Sequence, residues 1–97
     1  MVKIDKRITN FFSVLADETR LNIIMSISEG SRTVNEIHKF VGDQITLSAI
    51  SHQLKLLESS EIVKYEKKGR EKHYSLSGDF CWCMLKDATK HFQIKGT

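Results

Sequence analysis

The sequence predicts a mainly α domain carrying one small β-hairpin, an α+β chain in the order α-α-α-α-β-β-α. Three observations predict it. Apolar residues recur at helical spacing in four successive segments up to Ser59. The apolar period then shortens to two on either side of a charged tip containing Gly69. Helical spacing returns from about Asp79.

Taken in order, Ile4, Ile8, Phe11, Phe12 and Leu15 form the apolar stripe of a first helix over residues 5–16. Asp17 is an N-cap for the second, with Glu18 favourable to the dipole of its first turn. That helix carries Leu21, Ile23, Ile24, Met25 and Ile27, a stripe wide enough for a central, buried position, and Gly30 suits a left-handed end. Thr33-Val34-Asn35-Glu36 is a capping-box pattern opening a short third helix, with Val34, Ile37, Phe40 and Val41 turned inward. Gly42-Asp43 marks a turn. A fourth helix runs from Leu47 to Ser59, with Leu47, Ile50, Leu54 and Leu57 on one face and Ser48, His52, Lys55 and Ser59 on the other.

Ile62–Tyr65 and Lys72–Leu76 read as two strands, and Glu66–Glu71 as the hairpin tip between them. The last helix spans residues 79–93. Its Phe80, Trp82, Met84, Leu85, Ala88 and Phe92 exceed one narrow stripe, which implies one contact with its own domain and another with a partner.

The chain of 97 residues fits a single domain, residues 1–97, with 40% hydrophobic and 28% charged residues, as in ordinary globular proteins. A domain this small buries a limited core, and a homodimer would hide more apolar surface. The expected interface joins the first and last helices through Ile8, Phe11, Phe12, Phe80, Trp82, Met84 and Phe92. No apolar run reaches the roughly 18 residues of a membrane span, so no membrane association is expected. Met1–Arg7 carries an early acid and no apolar stretch, unlike a signal peptide, which makes the cytoplasm the expected compartment.

Net charge is only +3, but its distribution is uneven. Residues 11–60 hold four Lys/Arg against six Asp/Glu, whereas residues 64–72 hold five Lys/Arg against two Glu. Such a run is often no more than a solvated hairpin. Here it follows two short helices joined by a tight turn, and together these are the parts of a winged helix-turn-helix. In that reading the fourth helix reads double-stranded DNA. Thr46, Ser48, Ala49, Ser51, His52, Gln53 and Lys55 contact the duplex, Gln53 being suited to bidentate pairing with adenine. Lys67, Lys68, Arg70 and Lys72 reach flanking phosphates.

Three stretches carry a resemblance. Val14-Leu15-Ala16-Asp17-Glu18-Thr19-Arg20-Leu21-Asn22-Ile23-Ile24 resembles the opening signature of the ArsR/SmtB family of repressors. Leu47–Leu57 resembles that family's recognition helix, Ser-x-x-Ser-His-x-Leu-x-x-Leu, and Gly69-Arg70 with His73-Tyr74-Ser75-Leu76 resembles its wing. The resemblance runs from about residue 8 to 92. It implies a winged-helix homodimer, an operator of inverted half-sites, and repression relieved by an inducer, often a metal ion.

The family's metal positions are poorly matched. One site of the family is a Cys-x-Cys pair on the third helix, and Thr33–Val41 contains no cysteine. The other lies on the last helix, and alignment through Tyr74-Ser75-Leu76 places Gly78, Phe80, His91 and Ile94 at its four positions. Only His91 is a ligand type. A rearranged site between subunits could use Cys81, Cys83 and His91, with Asp79 and Asp87 nearby, for zinc, cadmium or copper(I), or the thiols could sense an oxidant. Two residues apart on a helix, Cys81 and Cys83 point about 200° apart and cannot chelate together in regular helix geometry, a limit that fraying of the helix start would relax. Free cysteines are usually buried small hydrophobes, and that reading stays beside the sensory one. His38 and His73 read as surface residues.

No phosphate loop, nucleophile elbow or paired-carboxylate motif is present, so an enzyme is not expected. The alternative to DNA reading is a winged helix used for protein contact.

Overall fold

The structure, a computed structural model, describes residues 2–78 and 82–96. The element order matches the expectation: α1 (Lys6–Leu15), α2 (Glu18–Ser26), α3 (Val34–Val41), α4 (Leu47–Ser59), β1 (Val63–Lys68), β2 (Glu71–Leu76) and α5 (Cys83–Gly96). The helix starts follow from their caps. The side chains of Asp5, Asp17, Thr33 and Thr46 accept backbone N–H bonds at the starts of α1 to α4. At α3 the box is complete: Thr33 Oγ1 accepts from the Glu36 N–H, and the Glu36 carboxylate accepts from the Thr33 N–H at 2.9 Å.

α2 ends differently from the expectation. It stops at Ser26, four residues before Gly30, and Gly30 does not adopt a left-handed conformation. Side chains serve this end instead. The Ser26 hydroxyl donates to the Ile23 carbonyl, Ser28 Oγ donates to the Met25 carbonyl, and Arg32 Nε donates to the Ser26 carbonyl. With those carbonyls satisfied, a glycine cap has no task.

The core is formed by α2, α3 and α4 around Ile23, Ile24, Ile27, Ile37, Ile50, Leu54 and Leu57, closed by Leu15, Ile62, Val63 and Tyr74. Leu47 and Phe40, expected inside, are 43% and 53% exposed. Leu47 stands in the first turn of α4, before the helix meets the core. Phe40 lies under the Arg32 guanidinium, 5.7 Å from its ring centre.

The hairpin is longer than expected. The ladder runs from Val63↔Leu76 as far as Lys68↔Glu71, so only Gly69 and Arg70 form the turn. Gly69 sits at φ 63 and Arg70 has no positive φ, the arrangement of a type II′ turn that requires glycine first. A single bridge from Arg32 to Tyr74 anchors β2 to the helical layer through bonds of 2.8 and 2.9 Å. The expected last-helix start falls on Asp79, Phe80 and Cys81, outside the described residues. Trp82 is a turn residue, and α5 begins at Cys83.

Candidate nucleic-acid interface

α4 has two unlike faces. Ile50, Leu54 and Leu57 are fully buried, and this leaves Ser48, Ser51, His52 and Lys55 exposed within an arc of about 100°. Small polar side chains on a helix held by its apolar back are what groove reading requires. Thr46 and Ala49 stand at the start of the same helix, where Thr46 Oγ1 accepts from the Ala49 N–H at 3.1 Å. The Thr46 hydroxyl therefore holds the helix start.

Gln53 departs from this group. It lies about 100° from His52 around the helix, half-buried toward α2, and its Oε1 accepts from Arg20 Nη1 at 3.0 Å. Bidentate pairing with adenine needs both ends of the amide free, so the expected role of Gln53 does not fit its place.

The wing sorts its charges by face. Tyr65, Lys67, Lys72 and Tyr74 share one face of the hairpin, with Tyr65↔Tyr74 and Lys67↔Lys72 as direct partners. Tyr74 is buried, so this face turns toward the helical layer. The opposite face pairs Lys64 with Ser75, Glu66 with His73 and Lys68 with Glu71. Lys68 thus has a carboxylate across from it, whereas Lys67 and Lys72 oppose each other. Lys72 Nζ lies 4.4 Å from the Tyr65 ring centre, a cation–π contact that holds it on that face.

Between wing and α4 lies a cleft of about 480 Å³. Thr33 and Asn35 from the start of α3, Ser51 and Lys55 from α4, and Arg70 and Lys72 from the wing line it, with Glu58 and Glu71 at its acidic side. The sequence reading missed Thr33 and Asn35, because nothing local in a capping box shows what lies across from it.

The terminal helices supply a second surface. Ile8 and Phe12 on α1 are 48% and 50% exposed, and Met84 and Phe92 on α5 are 37% and 70% exposed. Phe11 and Trp82 were expected beside them, but both pack partly against the protomer's own core. Phe80 and Cys81 lie outside the described residues.

Cys83 is exposed at the start of α5 and is disulfide-bonded. His91 stands eight residues further on, edge-on to Phe92 at 5.0 Å. Eight residues of helix rise about 12 Å, which keeps Cys83 and His91 of one protomer from a common ion. Among the described residues no three His, Cys, Asp or Glu side chains converge as a metal site. Among the described residues, Cys83 and His91 do not make up the family's metal site. His38, expected at the surface, is half-buried, with Nε2 paired to the Ile45 carbonyl at 2.8 Å. His73 is half-buried opposite Glu66. No described helix is long and apolar enough to cross a membrane.

Comparison with known proteins agrees with this architecture. The family model for bacterial regulatory proteins of the arsR family matches residues 17–65, from the α2 cap into β1. The chain is 31% identical over 88 residues to a transcriptional repressor SmtB homolog of Synechocystis, covering 91% of this chain and 65% of that protein's length. The crystal structure of M. tuberculosis Rv0081 superposes with a TM-score of 0.78 at 28% identity, over 91% of this chain and 87% of that one. A homodimeric winged helix-turn-helix DNA-binding domain of Mycobacterium bovis superposes with the same TM-score at 20% identity, over 95% and 85% of the two chains. With the recognition-helix geometry, the wing and the family match in agreement, the chain belongs to the ArsR family of winged helix-turn-helix transcriptional regulators, not to a family of enzymes.

Proposed function

We propose that the protein is a homodimeric repressor that sets α4 of each protomer into the major groove at one of two inverted half-sites. One observation carries this reading. Ser51 and Lys55 of the exposed face of α4 and Arg70 and Lys72 of the wing line the same cleft, so base edges and flanking phosphates would be met together. The apolar groups of α1 and α5 support a two-fold interface, and two-fold symmetry in the protein demands it in the operator. Repression is the activity carried by the name of the Synechocystis relative.

Release by an inducer is the finer part of the proposal. An effector acting where α1 and α5 meet the second protomer would change the spacing of the two reading helices, provided that it binds the two arrangements unequally.

Selection from a random duplex pool, followed by titration at several salt concentrations, tests the reading. Inverted repeats and a steep fall of affinity with salt are the expected results. Enrichment of no duplex would favour a winged helix for protein contact. Release of the selected duplex is then assayed with zinc, cadmium, copper(I) and peroxide, on reduced protein and on a Cys81→Ser, Cys83→Ser variant.

A further inference from the structure

We propose that Arg20 is a positioning residue that locks the reading helix α4 to the dimer-surface helix α1, and that Gln53 serves DNA binding from behind as its acceptor. The proposal rests on the assignment of α4 as the reading helix.

The geometry converges on one side chain. Arg20 Nε donates to the Val14 carbonyl at 2.6 Å, and Arg20 Nη1 donates to Gln53 Oε1 at 3.0 Å. Its backbone N–H is held by Asp17 Oδ2 at 3.0 Å, which fixes where the side chain starts. Val14 belongs to the last turn of α1, where four carbonyls have no partner within the helix. Ala16 N–H serves those of Phe12 and Ser13, Asp17 N–H serves that of Leu15, and Arg20 completes the set at Val14. The same guanidinium therefore closes α1 and grips the middle of α4.

The consequence is directional. Ile50, Leu54 and Leu57 hold α4 in place by apolar contact, which resists separation but only weakly resists rotation or sliding. A charge-assisted hydrogen bond from a rigid, planar group does resist them. Gln53 is next to His52 and two residues from Ser51 and Lys55, so its position sets where that polar face points. α1 carries Ile8 and Phe12 toward the proposed second protomer. Arg20 thereby sets the angle of each reading helix relative to the dimer axis, and through it the half-site spacing that fits. Lysine cannot replace it, because one ammonium lacks the two fixed donor directions.

The test uses the full chain. A duplex selected by the wild type is lengthened by one base pair at its centre, which rotates one half-site by roughly 35°. Wild type should prefer the original duplex by on the order of tenfold. Arg20→Lys and Gln53→Met should each bring that preference to within about twofold, with binding to a scrambled duplex unchanged, and the double variant should lose no more than either single one. An unchanged preference in both variants, or a Gln53→Met loss confined to one base pair, overturns the proposal. Gln53→Met leaves the Val14 bond in place and decides alone if Arg20→Lys fails to fold. Hydrogen exchange without DNA gives a second readout. Gln53→Met should speed exchange at the Ala16 and Asp17 amides severalfold, and no further in the Arg20→Lys background. Acceleration confined to α4 overturns the link. If no duplex is selected at all, DNA reading fails while the exchange data still decide the link.

Discussion

Lys67 and Lys72 stand directly opposite each other across the wing, two cations at one cross-strand position on the face that also carries Tyr65 and Tyr74. Like charges so placed weaken a hairpin, by roughly 0.2–1 kcal/mol. An anion between them would remove the repulsion, and in the proposed complex that anion is a DNA phosphate. Lys67→Ala or Lys72→Ala should flatten the log–log dependence of affinity on salt by about one unit. Lys68 faces Glu71, so Lys68→Ala should change the slope clearly less. Salt titrations of the three variants on one duplex make the comparison, and equal slopes would remove the distinction between the faces.

His52 stands at one edge of the exposed arc of α4, next to the residue that Arg20 holds. His52→Ala should cost on the order of 1–3 kcal/mol at one or two base pairs and little elsewhere. Affinities measured on a set of single-substitution duplexes would show the pattern. A loss spread evenly over all of them would make His52 a backbone contact.

Phe12 and Phe92, half and 70% exposed, should matter to assembly rather than to the protomer fold. Phe12→Asp and Phe92→Asp should each shift the protein toward monomer in sedimentation at micromolar concentration while far-ultraviolet circular dichroism keeps its helical signal. Operator affinity should fall with the dimer, since a single half-site engages half the contacts. Dimers persisting in both variants would place the interface elsewhere.

Glu36 gives the α3 cap a pH dependence. The Thr33 N–H bonded to its carboxylate holds its pKa below the ordinary value of 4.5. A lowered folded value means that the stabilisation is complete above about pH 4.5 and disappears as pH falls through the lower, folded value. Glu36→Gln keeps an acceptor for the Thr33 N–H without titrating. Denaturation midpoints of wild type and variant should therefore diverge above pH 4.5 and converge as the pH falls below it. Parallel curves down to the acid transition would show that the carboxylate charge plays no part.

Glu61 joins α4 to β1 at φ 62, a left-handed conformation that costs a residue with a side chain roughly 1–2 kcal/mol. Its N–H donates to the Glu58 carbonyl at 3.0 Å, and Ile62 N–H donates to the Leu57 carbonyl at 3.0 Å, so the conformation is needed to end the helix. Glu61→Gly should raise stability by about 0.5–1 kcal/mol after the larger freedom of the unfolded glycine is set against it. Chemical denaturation at fixed protein concentration would measure it. A destabilised variant would mean that the Glu61 side chain contributes more than its backbone costs.

The sequence by itself determined the elements and their order. The caps at Asp17 and Thr33, the apolar spacing of Ile50, Leu54 and Leu57, and the glycine at position 69 each act within a few residues, so they can be read along the chain. Local signals also placed α4 at Leu47–Ser59 and the cations in the wing. Tertiary structure decided which way those side chains face and what meets them. Gln53 looked like a reader because glutamine can pair with adenine, until the fold brought Arg20 to it from 33 residues away. Gly30 looked like a helix end until Arg32 reached the Ser26 carbonyl. Phe11 and Trp82, expected at the partner surface, are also partly packed against the protomer's own core, which their spacing alone did not show. The difference between Lys68 and Lys72 exists only once the strand register is set. Spacing along a chain encodes periodicity, whereas the partner of a long polar side chain depends on contacts between distant segments, which no local pattern specifies.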